Sequence, residues 1–343
     1  MKPLAPKLAA LTAALTAAAL TMAALTMAAL TMAALTAALA GCGSATTTSA
    51  STSGPATSAP AAAAGSSFPV TLTAANGTVT IKAKPVRIVS LAPTATEDLY
   101  AVGAGPQVVA VDQNSDYPTT AKRTSLSGLT PNLEAIAKYA PDLVISYQDA
   151  NGLVSGLGRL GIPVLIEPAA ATLADAYAQI DQIGRATGHY AQAQQTVTSM
   201  KTQIAAEVRQ AGSSHPGLTY YWELTANPYY SVTSATFIGQ IVGLFGLKNI
   251  ADAANKASDG GYPELSEEYI VKAAPQIIFL ADNQAADGGQ TPAVVVNRPG
   301  WSVIPAVRDH EVIALNDDIA SRWGPRLPQL VAEIAQAVKQ ASG

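Results

Sequence analysis

The sequence predicts an α/β protein of two lobes with central parallel sheets, bridged by a single long α-helix. Three observations carry that expectation. Short apolar runs alternate with helical segments on both sides of the chain's middle, the rhythm of parallel α/β architecture. Between them lies an amphipathic stretch long enough to reach from one lobe to another. One helix–Pro–strand unit recurs at a constant offset of 134 residues.

Residues 1–42 read as an export signal rather than as fold. Lys2 and Lys7 precede an uncharged apolar stretch over 8–40 that closes on small residues. Its period-five echo (Leu20, Leu25, Leu30 and Leu35, each followed by Thr) is low-complexity filler. The stretch ends Leu39-Ala40-Gly41-Cys42 and resembles the bacterial lipobox. That resemblance implies a lipidated Cys42 as the mature N-terminus, held at the cell membrane. The same stretch is long enough to span a bilayer uncleaved. Both readings put the rest of the chain outside the cytoplasm. Residues 43–67 contain almost only Ser, Thr, Ala, Gly and Pro, too few large apolar side chains to fold, and read as a disordered tether.

The first lobe is expected over 68–188. Val70-Thr71-Leu72-Thr73 and Thr78-Val79-Thr80-Ile81 alternate around Asn76-Gly77, a hairpin signal. Arg87-Ile88-Val89-Ser90-Leu91 is a short strand, broken by Ala92-Pro93. Thr94 with Glu97 has the spelling of a capping box that opens a helix, which Gly103 and Gly105 close. Val108-Val109-Ala110-Val111 is the next strand. Thr130-Pro131 starts a helix that Pro141 ends. Leu143-Val144-Ile145-Ser146 follows as a strand, then a helix leading to Gly161, then the strand Val164-Leu165-Ile166.

The bridging helix is expected over 189–212. Val197, Met200, Ile204, Val208 and Ala211 recur at spacings of three and four, and a helix over 190–210 is about 30 Å long at 1.5 Å per residue. The second lobe, over 213–343, resumes the α/β rhythm. Strands are expected at 218–222, 277–280 and 312–315, and helices at 235–245, 267–273 and 325–338. Tyr220, Tyr221 and Trp222 read as strand core. The recurring unit lays Glu134 to Ile145 over Glu268 to Phe279, with Glu, Ile, Lys, Ala and Pro coinciding. Two related halves joined by a helix make a cleft between them.

Composition bounds the function. Net charge is −4, and removing Lys2 and Lys7 with the leader leaves 18 basic against 24 acidic residues, or −6. Such a surface repels nucleic acid. Cys42 is the one cysteine, so no disulfide forms within the chain. His189, His215 and His310 are scattered, which argues against a zinc or haem-iron enzyme and against binders of a bare metal ion. Gly156-Leu157-Gly158-Arg159-Leu160-Gly161 spells a dinucleotide fingerprint, but it ends a helix and leads into a strand, the wrong context. No phosphate loop and no nucleophile elbow are spelled. The chain is therefore expected to be no enzyme and to need no cofactor.

Over roughly 85–338 the chain resembles the periplasmic binding proteins of the vitamin B12 and iron-siderophore class. The motifs are Arg87-Ile88-Val89-Ser90-Leu91-Ala92-Pro93-Thr94-Ala95-Thr96-Glu97, Asn132-Leu133-Glu134, Ala140-Pro141-Asp142-Leu143-Val144-Ile145 and Leu265-Ser266-Glu267-Glu268. Ser115-Asp116-Tyr117-Pro118, Asn227-Pro228-Tyr229-Tyr230 and Arg322-Trp323-Gly324-Pro325-Arg326 look closest to the vitamin B12 binders. The resemblance implies a monomeric substrate-binding protein of an ABC importer, with a stiff helix that permits little lobe closure. It implies Glu134 and Glu268 as docking carboxylates, one per lobe, for arginines of a two-fold permease. It implies ligand contacts from Tyr117, Tyr147, Tyr230 and Tyr262, with Asp318 and Arg322 as polar partners.

Rings suit a large planar ligand such as a corrinoid, and 12 Tyr against 4 Phe agrees. The chain departs from the B12 pattern at Ser127-Gly128-Leu129, where a ring is expected. A ferric siderophore or haem stays open as the ligand, with Arg322 and Arg326 available to an anionic chelate. Outside that class the competing readings are a cell-surface α/β enzyme and an adhesion or sensory module.

Overall fold

The computed structural model describes residues 67–342 except 213, 214 and 285–288. The expectations for the leader, Cys42 and almost all of the tether lie outside the described residues. Within them the chain opens on an antiparallel hairpin, β1 (Val70–Ala74) and β2 (Gly77–Ile81), with Ala74 facing Gly77. Gly77 takes φ +95°, which a side chain would resist. The preceding Asn76 leaves the hairpin altogether. Its Nδ2 donates to Val164 O at 3.0 Å and its Oδ1 accepts from Ile166 N at 3.2 Å. One side-chain amide thus occupies the backbone groups of a sheet edge that would otherwise be free to pair.

That edge belongs to the first parallel sheet: β3 (Ile88–Ser90), β4 (Val108–Val111), β5 (Leu143–Ser146) and β6 (Val164–Ile166), in the order β4-β3-β5-β6. Every residue of β3, β5 and β6 is buried, as a parallel sheet covered on both faces requires. The connecting helices are α1 (Pro93–Ala101), α2 (Leu133–Ala137) and α3 (Leu153–Gly158). The capping box read at Thr94 and Glu97 is not formed. Ala92 is the N-cap, Pro93 takes the first turn, and no side chain caps the helix. Pro has no N–H to satisfy there, which leaves the Glu97 carboxylate for another use.

α4 (Leu173–Thr187) starts on a true capping box, Thr172 with Asp175, and stops at left-handed Gly188. α5 (Tyr190–Ala211) then runs 22 residues, about 33 Å. The predicted stripe is its buried face: Ala193, Val197, Met200 and Ile204 are buried, with Val208 and Ala211 half-buried beside them.

The second lobe follows: β7 (Thr219–Glu223), β8 (Thr225–Ala226), β9 (Tyr229–Tyr230), α6 (Phe237–Gly243), β10 (Lys248–Asn249), β11 (Glu264–Leu265), α7 (Glu267–Ala273), β12 (Ile277–Leu280), α8 (Pro292–Val296), α9 (Pro305–Arg308), β13 (Val312–Ala314), α10 (Asp317–Ala320) and α11 (Leu327–Ala341). α5 packs between α4 of the first lobe and α11 of the second. Its apolar face therefore serves both lobes, and Trp222, Tyr220 and Phe279 join the same core.

The second parallel sheet has the order β10-β7-β12-β13. This is the first sheet's plan again, with β7 for β3 and β12 for β5. The sequence echo is structural. Asn132 caps α2 by accepting from Ala135 N, and Ser266 caps α7 by accepting from Tyr269 N. Ala140 and Ala274 then take the same left-handed turn, φ +44° and +48°, each before a proline. Proline disfavours the right-handed helical region for its predecessor, so both helices are halted one residue early and each chain feeds a central strand. A three-stranded antiparallel sheet, β11-β9-β8, has no counterpart in the first lobe and no sequence expectation.

Candidate functional site

In a parallel sheet all carboxyl ends lie along one side, where α/β proteins place ligands. In the first lobe that side carries Glu97 and Asp98 after β3, the 112–117 loop after β4, Tyr147 after β5 and Glu167 after β6. In the second it carries Glu223 at the end of β7, Asp282 after β12, and Asp318 and Arg322 after β13.

The two sides meet. Arg322 Nη1 donates to Glu97 Oε1 at 2.8 Å and to Asp116 Oδ1 at 2.9 Å, both across the lobes. Its Nη2 donates to Asp318 Oδ1 at 2.6 Å and to Asn114 O at 3.3 Å. Arg326 grips the same carboxylate, Nε to Glu97 Oε2 at 2.8 Å and Nη2 to Oε1 at 2.5 Å. Its guanidinium carbon lies 4.2 Å from the Tyr117 ring centre, a cation–π contact. Between the two arginines, Trp323 Nε1 donates to Gln179 Oε1 at 2.9 Å. Gly324 rests on α1, where a β-carbon would come within 3.5 Å of Asp98 Oδ1. Residues 322–326 form a strap of the second lobe laid over α1 of the first.

The electrostatics follow from burial. The Glu97 side chain is 1% exposed and Arg322 10%. Burial pulls the Asp116 carboxyl up, but Arg322 outweighs it and holds the group below its ordinary value. For Asp318 burial wins, and its carboxyl lies above the ordinary value despite the same guanidinium. A hydroxyl relay fixes the loop that carries Asp116 and Tyr117. Thr96 Oγ1 lies 2.8 Å from Ser90 Oγ and 2.9 Å from Ser115 Oγ, and Ser115 Oγ donates to Asp112 Oδ1.

Four of the six expected ligand residues therefore sit at one junction. Tyr117 is 42% exposed against Arg326, and Asp318 and Arg322 are paired. Tyr147 is half-buried on a hollow of about 50 Å³ that Trp323 also lines. Burial, then the nearby Asp112, pushes the Tyr147 phenol up to about 12. Tyr230 and Tyr262 belong to the antiparallel sheet's side of the second lobe. Tyr230 pairs with Glu264 and Thr225, and Tyr262 precedes β11. Among the described residues no hydrogen bond, ion pair or ring contact joins either to the junction.

The position of the missing ring has a steric account. A β-carbon on Gly128 would lie 2.1 Å from Leu91 O and 3.1 Å from Tyr147 Cε1. The Tyr147 ring packs where a side chain at 128 would have to go.

The 50 Å³ hollow is lined by Thr94, Asp98, Tyr147, Glu167, Gln179 and Trp323, among others. Asp98 Oδ1 and Glu167 Oε1 are buried without a hydrogen-bond partner. Burial raises both, with Glu97 and Glu167 adding to the shift at Asp98, and Glu167 reaches about 8. A wider surface groove of about 640 Å³ runs between β2 and the segment 160–164. It holds none of the six residues.

The second lobe has its own buried charges. Arg298 donates to both Glu223 oxygens at 2.7 Å and lies over Trp301 and Tyr229. Asp282 is 1% exposed, and burial followed by Glu223 raises its carboxyl to about 8. Sequence reading missed this group, Glu97 in its clamping role and the Asp98–Glu167 pair. The available signal was position: each acid stands at or just after a strand's carboxyl end. Glu134 and Glu268 are exposed, each in the first turn of its helix, and among the described residues neither forms an ion pair. The neighbouring Glu267 is engaged, its Oε1 accepting from Trp301 Nε1 at 2.9 Å. Among the described residues no three His, Cys, Asp or Glu draw together to hold a metal ion, and no helix is long and apolar enough to cross a membrane.

Residues 88–319 match the periplasmic binding protein family. The chain is 33% identical over 280 residues to the uncharacterized ABC transporter substrate-binding lipoprotein YvrC of Bacillus subtilis, covering 79% of this chain and 86% of that protein. It is 31% identical over 267 residues to a vitamin B12-binding protein of Pectobacterium atrosepticum, covering 74% and 89%. Among solved structures, the periplasmic vitamin B12 binding protein BtuF of Vibrio cholerae superposes with a TM-score of 0.61 at 27% identity, covering 76% of this chain and 98% of that one.

Proposed function

Because the chain belongs to the periplasmic binding protein family, we propose that it captures a cobalamin-like corrinoid between its lobes and delivers it to the permease of an ABC importer. The observation that carries the reading is the junction itself. The carboxyl edges of two parallel sheets face each other across Arg322, with Tyr117 and Tyr147 beside it. Tyrosine supplies flat contact area with few torsions to freeze and a hydroxyl to orient a ligand. Tyr230 and Tyr262 would form the opposite wall, and Asp318 with Arg322 the polar contacts. The vitamin B12-binding relative supports the ligand class.

Glu134 and Glu268 would dock the permease. Their helices are the two copies of one recurring unit, and both carboxylates are exposed and form no ion pair among the described residues. Two acidic knobs related by pseudo-symmetry suit a two-fold partner, and carboxylate–arginine pairs are directional. Cys42, with a lipid on it, would hold the protein at the outer face of the cell membrane.

The test is retention of ligand. Purified protein mixed with cyanocobalamin and desalted should keep the corrinoid's visible spectrum. Its melting temperature should rise, since saturation at 100 times Kd stabilises by about 2.7 kcal/mol. A colourless, unshifted protein that responds instead to ferric chelates or haemin would replace the corrinoid with an iron ligand. Turnover of a bound ligand would favour an enzyme.

A further inference from the structure

The hollow beneath Trp323 is unlike the rest of the junction. Four polar side chains line it while nine-tenths or more buried: Thr94 at 6% exposed, Asp98 at 2%, Glu167 at 6% and Gln179 at 8%. Gln179 is spoken for, donating to Pro168 O at 2.7 Å and accepting from Trp323 Nε1. Asp98 Oδ1 and Glu167 Oε1 have no hydrogen-bond partner among the described residues. A buried polar atom without a hydrogen bond costs free energy comparable to a lost bond, so two at one hollow point to something that completes them. At about 30 Å³ per water, the hollow holds one or two waters, or in their place the three heavy atoms of a carboxamide. It adjoins the cleft wall, since Tyr147 lines it and Trp323 directly follows Arg322.

We propose that this hollow is a subsite for one neutral primary amide on the ligand's edge, and that Asp98 and Glu167 exclude a carboxylate from the same place. The inference rests on the corrinoid reading of the cleft. A carboxylic acid and a primary amide complement each other: the acid O–H donates to the amide oxygen, and the amide N–H donates to the acid's carbonyl oxygen. Burial raises both acids, Glu167 to about 8, so Glu167 can offer its O–H at neutral pH. An anionic group would find no cation among the hollow's described lining residues, and the nearby Arg322 and Arg326 are already held by Glu97. An unpaired anion taken out of water into such a hollow costs far more than a neutral amide of the same shape. The subsite would thus separate corrinoids, whose edge carries amides, from ligands whose edge carries carboxylates.

The test compares cyanocobalamin with its monocarboxylic acids, each made by hydrolysing one edge amide, by titration calorimetry at pH 7. At least one isomer should bind the unaltered protein about tenfold or more weakly than the parent. In Asp98→Asn/Glu167→Gln, which alters the groups that hold the amide and so weakens the parent too, the ratio of parent to acid affinity should narrow to about twofold. Isomers that all bind like the parent, or a gap that survives in the variant, overturn the subsite and leave the corrinoid reading intact. No binding of cyanocobalamin overturns both. The comparison on the unaltered protein needs no variant to fold. A crystal structure of the cyanocobalamin complex with only water in the hollow would also overturn the subsite.

Discussion

Replacing Glu167 by Gln should shift stability increasingly in the variant's favour as pH rises. The side chain is 6% exposed, and its carboxyl titrates near 8 in the fold against an ordinary 4.5. Below 4.5 both folded and unfolded chains hold the proton, and the group favours neither. Between 4.5 and 8 the folded chain keeps a proton that the unfolded chain has released, so stability falls as pH rises. The slope is about 1.4 kcal/mol per pH unit. The loss is about 3 kcal/mol at pH 7 and levels off at about 5 kcal/mol above pH 8. Glutamine keeps the shape and removes the titration, at the cost of an amide with imperfect partners, about 1–3 kcal/mol at every pH. Urea unfolding of both proteins at pH 5, 6, 7 and 8 gives the difference curve. Asp282, also raised by burial, slopes both profiles alike and cancels in the difference, whereas Asp98, raised in part by Glu167, contributes to it. A difference that grows steadily from pH 5 to 8 is expected. Parallel profiles would refute the buried, protonated state of Glu167.

Four further outcomes follow from the geometry. Glu97→Ala leaves Arg322 and Arg326 buried without their shared carboxylate, and should cost about 3–5 kcal/mol by urea unfolding and weaken corrinoid binding; a loss below about 1 kcal/mol would remove the clamp. Gly128→Ala drives a methyl into Leu91 O, so a melting curve should show a loss of about 1–3 kcal/mol, and an unchanged melting temperature would contradict the packing under Tyr147. Glu134→Ala/Glu268→Ala should bind ligand normally yet abolish uptake in cells; undiminished uptake would end the docking reading. Scattering curves with and without ligand should nearly coincide, because α5 has few torsions to flex, and a large change in radius would say otherwise.

The architecture was legible because its signals are long or repeated. The stripe from Val197 to Ala211 spans four turns, and the Glu134 and Glu268 units could be checked against each other. The dinucleotide spelling at 156–161 was readable as misplaced: Gly156 and Gly158 lie in α3, and left-handed Gly161 leads into β6. Short elements escaped. β8, β9 and β11 are two residues each, below any periodicity. The site was legible by half. Arg322 and Asp318 stand in a distinctive run, but their partners Glu97 and Asp116 lie more than 200 residues away. Nothing local announces that a glutamate spelled like a helix cap will be claimed by two arginines. Asp98 and Glu167 become a pair only when β3 and β6 deliver them to one side of the sheet.

The central claim is best put to a crystal structure of the protein with cyanocobalamin bound. The corrin ring should lie between the lobes, with Tyr117 and Tyr147 on one wall, Tyr230 and Tyr262 on the other, and Arg322 at its edge. A corrinoid seated elsewhere, for example in the groove beside β2, would contradict the account.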